Sequence, residues 1–178
     1  VKLLRTIRLD PSDGFVFEPA AQPGEWAVVG SFMFWDENPA GFTGKQRSAF
    51  RSGWLGVSSM GWSTLAIVQE ASEADVEAAT HALADGLVTH HGAPDRETAL
   101  PAAREEIAFA ASLADHPAQT IIALHRTLES DGRVRETFRT LMPGKPVSQV
   151  RAFSFVAEDD DAMPEEQVDL AGLLRKRT

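Results

Sequence analysis

The chain contains no cysteine and no tyrosine. Without cysteine it has no disulfide framework, no thiolate zinc or iron–sulfur ligation and no cysteine nucleophile. Without tyrosine it lacks a common buried donor and acid–base side chain. Positive charge is scarce: 17 Lys and Arg stand against 26 Asp and Glu, for a net charge of −9 and a pI near 5.0. That balance argues against nucleic acid, whose binding needs cationic surface to displace counterions, and against anionic lipid. No run of 18 apolar residues exists, and the opening residues carry no apolar targeting segment. A cytoplasmic protein with no membrane partner is therefore expected.

The 178 residues are enough for one domain with a real core. The expected organisation is a single α+β domain over 1–156, followed by an acidic segment and short C-terminal helix or tail over 157–178. Within the domain, aromatics are concentrated early. Ten of the 14 lie between Phe15 and Trp62, and all four tryptophans fall at Trp26, Trp35, Trp54 and Trp62, interleaved with glycines.

Alternating apolar residues predict a strand over 2–9, and Phe15 to Glu18 a return strand after the turn-rich Asp10–Gly14. Residues 25–35 are apolar on both faces, as in a strand covered on both sides. Thr43 and Gln46 have capping-box spacing, which predicts a short helix over 44–51. Gly53 to Gly61 reads as an irregular bend, and 62–69 as another strand. Ser72 and Asp75 predict the start of a helix that runs to His91 and ends at Gly92. A second helix is predicted from Pro101 to Asp115. Strands follow over 118–129 and 134–141, joined by a turn with Asp131-Gly132 at its centre. A last strand is expected at 150–156, a solvated acidic segment at 158–169 and a leucine-edged helix at 166–176. Grouped strands around a pair of helices predict a largely antiparallel sheet of about six to seven strands with two main helices packed on one face.

No motif names a chemistry. Gly41 to Gln46 has part of a phosphate-loop pattern, but Pro39 stands where the first glycine belongs and Gln46 where a magnesium-binding hydroxyl belongs. The five histidines form no metal-ligating spacing. Glu105 and Glu106 offer paired carboxylates, yet they are placed near a predicted helix N-terminus, where acidic charge is favourable for the dipole alone. His125 faces the same region or not, according to strand register. No nucleophile elbow occurs around Ser58, Ser59 or Ser63. No catalytic residue, metal ligand or cofactor is thus assigned.

What remains is the aromatic–glycine stretch. Trp54 and Trp62 flank the bend, and Arg47 and Arg51 share a helix face beside it. Core, partner interface and ligand pocket are all open readings of that surface. Only the insertion 36–61, with its edge at Trp62, has spare aromatics, glycines and cations.

Four stretches carry a family resemblance: KLLRTIRLDPSD at 2–13, FEPAAQPGEWAVVGSF at 17–32, the GWLG and GWST pair at 53–56 and 61–64, and ALPAAREEIAFAASL at 99–113. Over residues 1–156 the chain resembles a small uncharacterised proteobacterial family, a domain of unknown function. The resemblance implies an accessory context beside molybdenum-enzyme genes and supplies no site residue. The favoured reading is a non-catalytic protein-binding or accessory module that binds a protein partner or forms a homo-oligomer. The alternative is a protein, or an enzyme, that binds an anionic small molecule through Arg47, Arg51, Trp54 and Trp62.

Overall fold

Strand β1, Lys2–Ile7, is the centre of the molecule, and the computed structural model, which describes residues 1–141, places every other strand relative to it. The remaining strands are β2 (Trp26–Val28), β3 (Trp54–Gly56), β4 (Trp62–Ser63), β5 (Leu65–Glu70), β6 (Ile121–Leu128) and β7 (Val134–Leu141). They form one sheet in the order β4-β3-β2-β1-β5-β6-β7, with every neighbouring pair antiparallel. The helices are the single turn α1 (Asp13–Val16), α2 (Gly44–Ser52), α3 (Glu73–His91) and α4 (Arg96–Leu113). This is the α+β fold expected from the pattern of strands and helices.

Pairing register puts Leu4, Thr6, Ala66, Val68, Ile122, Leu124, Arg126, Glu136 and Phe138 on one face. Leu4, Ala66, Val68, Ile122 and Leu124 there are apolar and buried, and Thr6 and Arg126 are buried polar groups. The sheet curls around that face. Trp54 on β3 and Phe138 on β7 belong to distant strands, yet their rings are 5.9 Å apart. Helix α4 lies in the hollow, packed on β1 and β2, with Phe109 meeting Phe138 at 6.0 Å. Its small inward residues Ala99, Ala103 and Ala110 allow that close approach. Helix α3 packs on α4, and α2 bridges from β4 to β6. No helix among the described residues is long and apolar enough to cross a membrane.

Local chemistry explains the elements. Helix α3 begins with a full capping box: Ser72 accepts from the Asp75 amide at 3.1 Å, and the Asp75 carboxylate accepts from the Ser72 amide at 2.9 Å. It ends at Gly92 in the left-handed conformation. Helix α4 starts five residues earlier than Pro101 suggests, because Asp95 caps it by accepting from the Thr98 amide at 2.7 Å. Pro101 is therefore inside the helix.

Three expected strands are not formed as read; the one expected over 62–69 is two, β4 at the sheet edge and β5 beside β1. Phe15 to Glu18 does not fold back on β1; residues 13–16 make a helical turn, which the Asp13 carboxylate holds by accepting from the Leu9 amide at 2.9 Å. The apolar run 25–35 is a strand only to Val28. Gly30, at φ +74°, turns the chain into a short 3-10 segment at Ser31–Phe34. A side chain at Gly30 is excluded twice, since an added Cβ would stand 2.5 Å from Leu55 Cβ. Gly30→Ala is expected to cost about 2–4 kcal/mol, from left-handed strain plus overpacking. Urea denaturation would measure it, and a loss below about 1 kcal/mol would contradict this account.

The strand expected at 150–156, the acidic segment, the helix at 166–176 and the domain boundary at 156 all lie outside the described residues.

Candidate functional site

The bend between Trp54 and Trp62 is closed. Trp54 is 0% exposed and Trp62 is 6% exposed. Trp62 stacks on Phe34 at 5.1 Å, and Phe34, Phe42 and Phe50 surround one another at 5.4–5.8 Å. The glycines here serve close packing. A Cβ at Gly53 would meet the Ala49 carbonyl at 2.6 Å and the Trp62 ring at 2.7 Å; one at Gly61 would meet the Ala20 backbone at 2.6 Å. Glu25 pins the bend, its carboxylate accepting from the Ser58 and Ser59 amides at 3.1 and 2.9 Å. Arg47 and Arg51 lie on the exposed side of α2, where Arg47 Nε donates to the Phe42 carbonyl at 2.9 Å. The structure does not gather these four residues around one cavity.

A cavity of about 460 Å³ opens elsewhere, between the 31–39 segment, α4 and the β6–β7 hairpin. Its apolar walls are Phe32, Phe34, Trp35, Phe50 and Phe109. Its polar groups are Ser31, Glu37, Glu106, Arg126 and Glu136. Of the insertion 36–61, Glu37, Pro39 and Phe50 reach it. Trp35 stands at the mouth, 78% exposed.

Arg126 organises the floor. It occupies the inward register of β6 after Ile122 and Leu124, where an apolar residue is the rule, and is 1% exposed. Its donors are all directed inward. Nε donates to Ser31 Oγ at 2.8 Å and to Glu136 at 3.0 Å. Nη1 donates to the Phe50 and Gly53 carbonyls at 3.0 Å each and to Ala49 at 3.4 Å; Nη2 donates to the Val29 carbonyl. The Ala49 and Phe50 carbonyls lie in the last turn of α2, so the guanidinium closes the negative end of that helix. Burial lowers its pKa from the ordinary arginine value, and Glu136 pulls it back up; it stays a cation. Ser31 Oγ also donates to Glu136.

Arg126 meets Glu136 because the β6–β7 loop has three residues. Glu129 and Arg133 are hydrogen-bonded across it, and Gly132 takes φ +85°. A two-residue loop centred on Asp131-Gly132 would have shifted the pairing by one and turned Glu136 to the other face.

Glu106 completes the set. It lies in the middle of α4, so it is not the N-terminal charge that a start at Pro101 would make it. Its carboxyl is pushed above its ordinary value by burial and by the neighbouring Glu136 charge, against a backbone hydrogen bond from Gly30 and the pull of Arg126. It has no salt bridge among the described residues. His125 points away from this group, exposed on the opposite side of β6. No group of three or more histidine or acidic residues among those described is placed to hold a metal ion.

A profile for a family of unknown function, DUF6505, matches residues 1–159. The chain belongs to that family. Searches of curated proteins and of solved structures find no match. The matched span of DUF6505 includes every residue that lines the cavity.

Neither Arg126 nor Glu136 is among the candidate residues that the sequence offers. The signal for Arg126 is present: a charge in step with Ile122 and Leu124 on a strand that is otherwise apolar on that face.

Proposed function

We propose that this member of DUF6505 binds a small, largely apolar organic molecule in the cavity between α4 and the β6–β7 hairpin, and acts by binding it without transforming it. The observation that carries this is the cavity itself. At about 460 Å³ it falls within the size range of ligand sites, with aromatic walls and few convergent polar groups. Arg126, fully engaged with backbone carbonyls, serves as scaffold for the floor.

The accessory setting implied by the family resemblance, beside molybdenum enzymes in proteobacteria, is compatible with such a binding role. An anion held by Arg47, Arg51, Trp54 and Trp62 would require both buried tryptophans to leave the core, so the cavity is the favoured place.

Saturable quenching of Trp35 fluorescence by an aromatic ligand is the expected result. Val134→Trp, a substitution at an exposed rim position, should abolish it by filling the mouth. No saturable signal from any aromatic probe at millimolar concentration would count against the proposal.

A second reading is favoured by the rim. Trp35 is unusually exposed for a tryptophan, and Phe109 and Val134 beside it are partly exposed. Such a patch suits a side chain of a protein partner or second copy. A monomer at all concentrations in sedimentation, with no partner captured, would remove that reading.

A further inference from the structure

The charges inside the cavity point to the class of ligand. We propose that the site takes a protonated amine carried on an aromatic or aliphatic body, with Glu106 and Glu136 receiving the ammonium group and Phe32, Trp35 and Phe109 receiving the body. This rests on the cavity being a binding site.

Three observations support it. Among the described residues, the cavity wall holds the carboxylates Glu37, Glu106 and Glu136 against one cation, Arg126. That cation is unavailable to an incoming anion, because its side chain is 0% exposed and its donors are aimed at Glu136, Ser31 and four backbone carbonyls. Glu106 is the reverse case: a half-buried carboxyl with no salt bridge among the described residues. A burial cost of this kind is relieved when a positive charge arrives.

The walls suit the same guest. Aromatic faces attract ammonium groups while excluding water, and cation–π contact adds to the carboxylate attraction. A bare divalent metal ion fits less well, since hard cations require several oxygen ligands and Phe and Trp faces supply none. Phosphate and carboxylate ligands would enter against like charge.

Probes matched in shape but different in charge test this: 2-phenylethylamine, 2-phenylethanol and 3-phenylpropanoate, each titrated calorimetrically at pH 7.5. The amine should bind at least about tenfold more tightly than the alcohol, and the carboxylate should not bind measurably. Glu106→Gln should bring the amine to within about threefold of the alcohol, with the far-ultraviolet circular dichroism unchanged. Magnesium at millimolar concentration should leave amine affinity unchanged. If the alcohol or the carboxylate binds as well as the amine, the ligand class is wrong while the cavity reading stands; if Glu106→Gln leaves the amine preference intact, Glu106 is not the group that receives the ammonium. If none of the three binds, both fail.

Discussion

Replacing Arg126 with leucine is expected to cost about 3–5 kcal/mol, the loss typical of breaking a buried ion pair from one side. Two separate costs contribute. Glu136 would be left as a carboxylate in a largely buried position without its cation, and the Val29, Ala49, Phe50 and Gly53 carbonyls would lose their donor. Leucine fills part of the volume and satisfies none of those groups. For a chain of this length the loss corresponds to a fall in Tm of roughly 6–20 °C. Arg126→Lys separates charge from geometry. It keeps the positive charge but cannot reach acceptors spread around a planar guanidinium, so an intermediate loss is expected. Amide exchange provides a local signature, since the last turn of α2 and the segment after β2 should lose protection first. Denaturation of both variants measures the effect. A loss below about 1 kcal/mol for leucine would mean that the buried guanidinium is not what holds α2, the 29–31 segment and β7 together.

Replacing Glu106 with glutamine should have the opposite sign. Burial and the Glu136 charge raise the Glu106 pKa above its ordinary value of 4.5. A carboxyl whose folded pKa is raised favours folding most while protonated. That contribution is fully present below the ordinary value and is lost as pH rises through the folded pKa. Wild type should therefore lose stability relative to Glu106→Gln as pH rises above 4.5, and the two should converge at acid pH. At pH 7.5 the variant should melt higher than wild type. The same substitution is expected to abolish the preference for an amine. A residue that costs stability and is required for binding is the signature of a functional group kept against the interest of the fold. Melting curves across pH test the first half. A variant less stable than wild type at neutral pH would show that Glu106 is a structural partner instead.

The parts of this fold that were legible were those in which one local rule acts alone. The strands expected over 2–9 and 118–129 contain β1 and β6, and the Ser72–Asp75 capping box marks the start of α3. The misread parts are places where a backbone event overrides composition. Residues 25–35 look like one strand because every side chain is apolar, but Gly30 takes a left-handed conformation and sends Phe32, Phe34 and Trp35 toward the cavity. Pro101, a good first-turn residue, suggests a late start for α4 and so puts Glu106 near a helix end, whereas it lies mid-helix. The β6–β7 loop is longer by one residue than the Asp-Gly pair suggests, and that one residue decides which face Glu136 occupies. The densest aromatic signal, Trp54 and Trp62, belongs to the core, whereas the cavity draws its walls from Phe32, Trp35 and Phe109, spread over two distant segments. A site assembled from a loop, a helix and two strands has no contiguous motif to read.

The central claim is that the cavity between α4 and the β6–β7 hairpin is the binding site. The direct measurement is the set of indole N–H resonances of the four tryptophans during titration with 2-phenylethylamine. Trp35 lines the cavity, whereas Trp26 lies on β2 beneath Arg5 and Trp54 is sealed inside. The account predicts that the Trp35 indole shifts and saturates while Trp26 stays in place. A saturating shift of Trp26 with Trp35 unmoved, or no shift at any of the four, would contradict it.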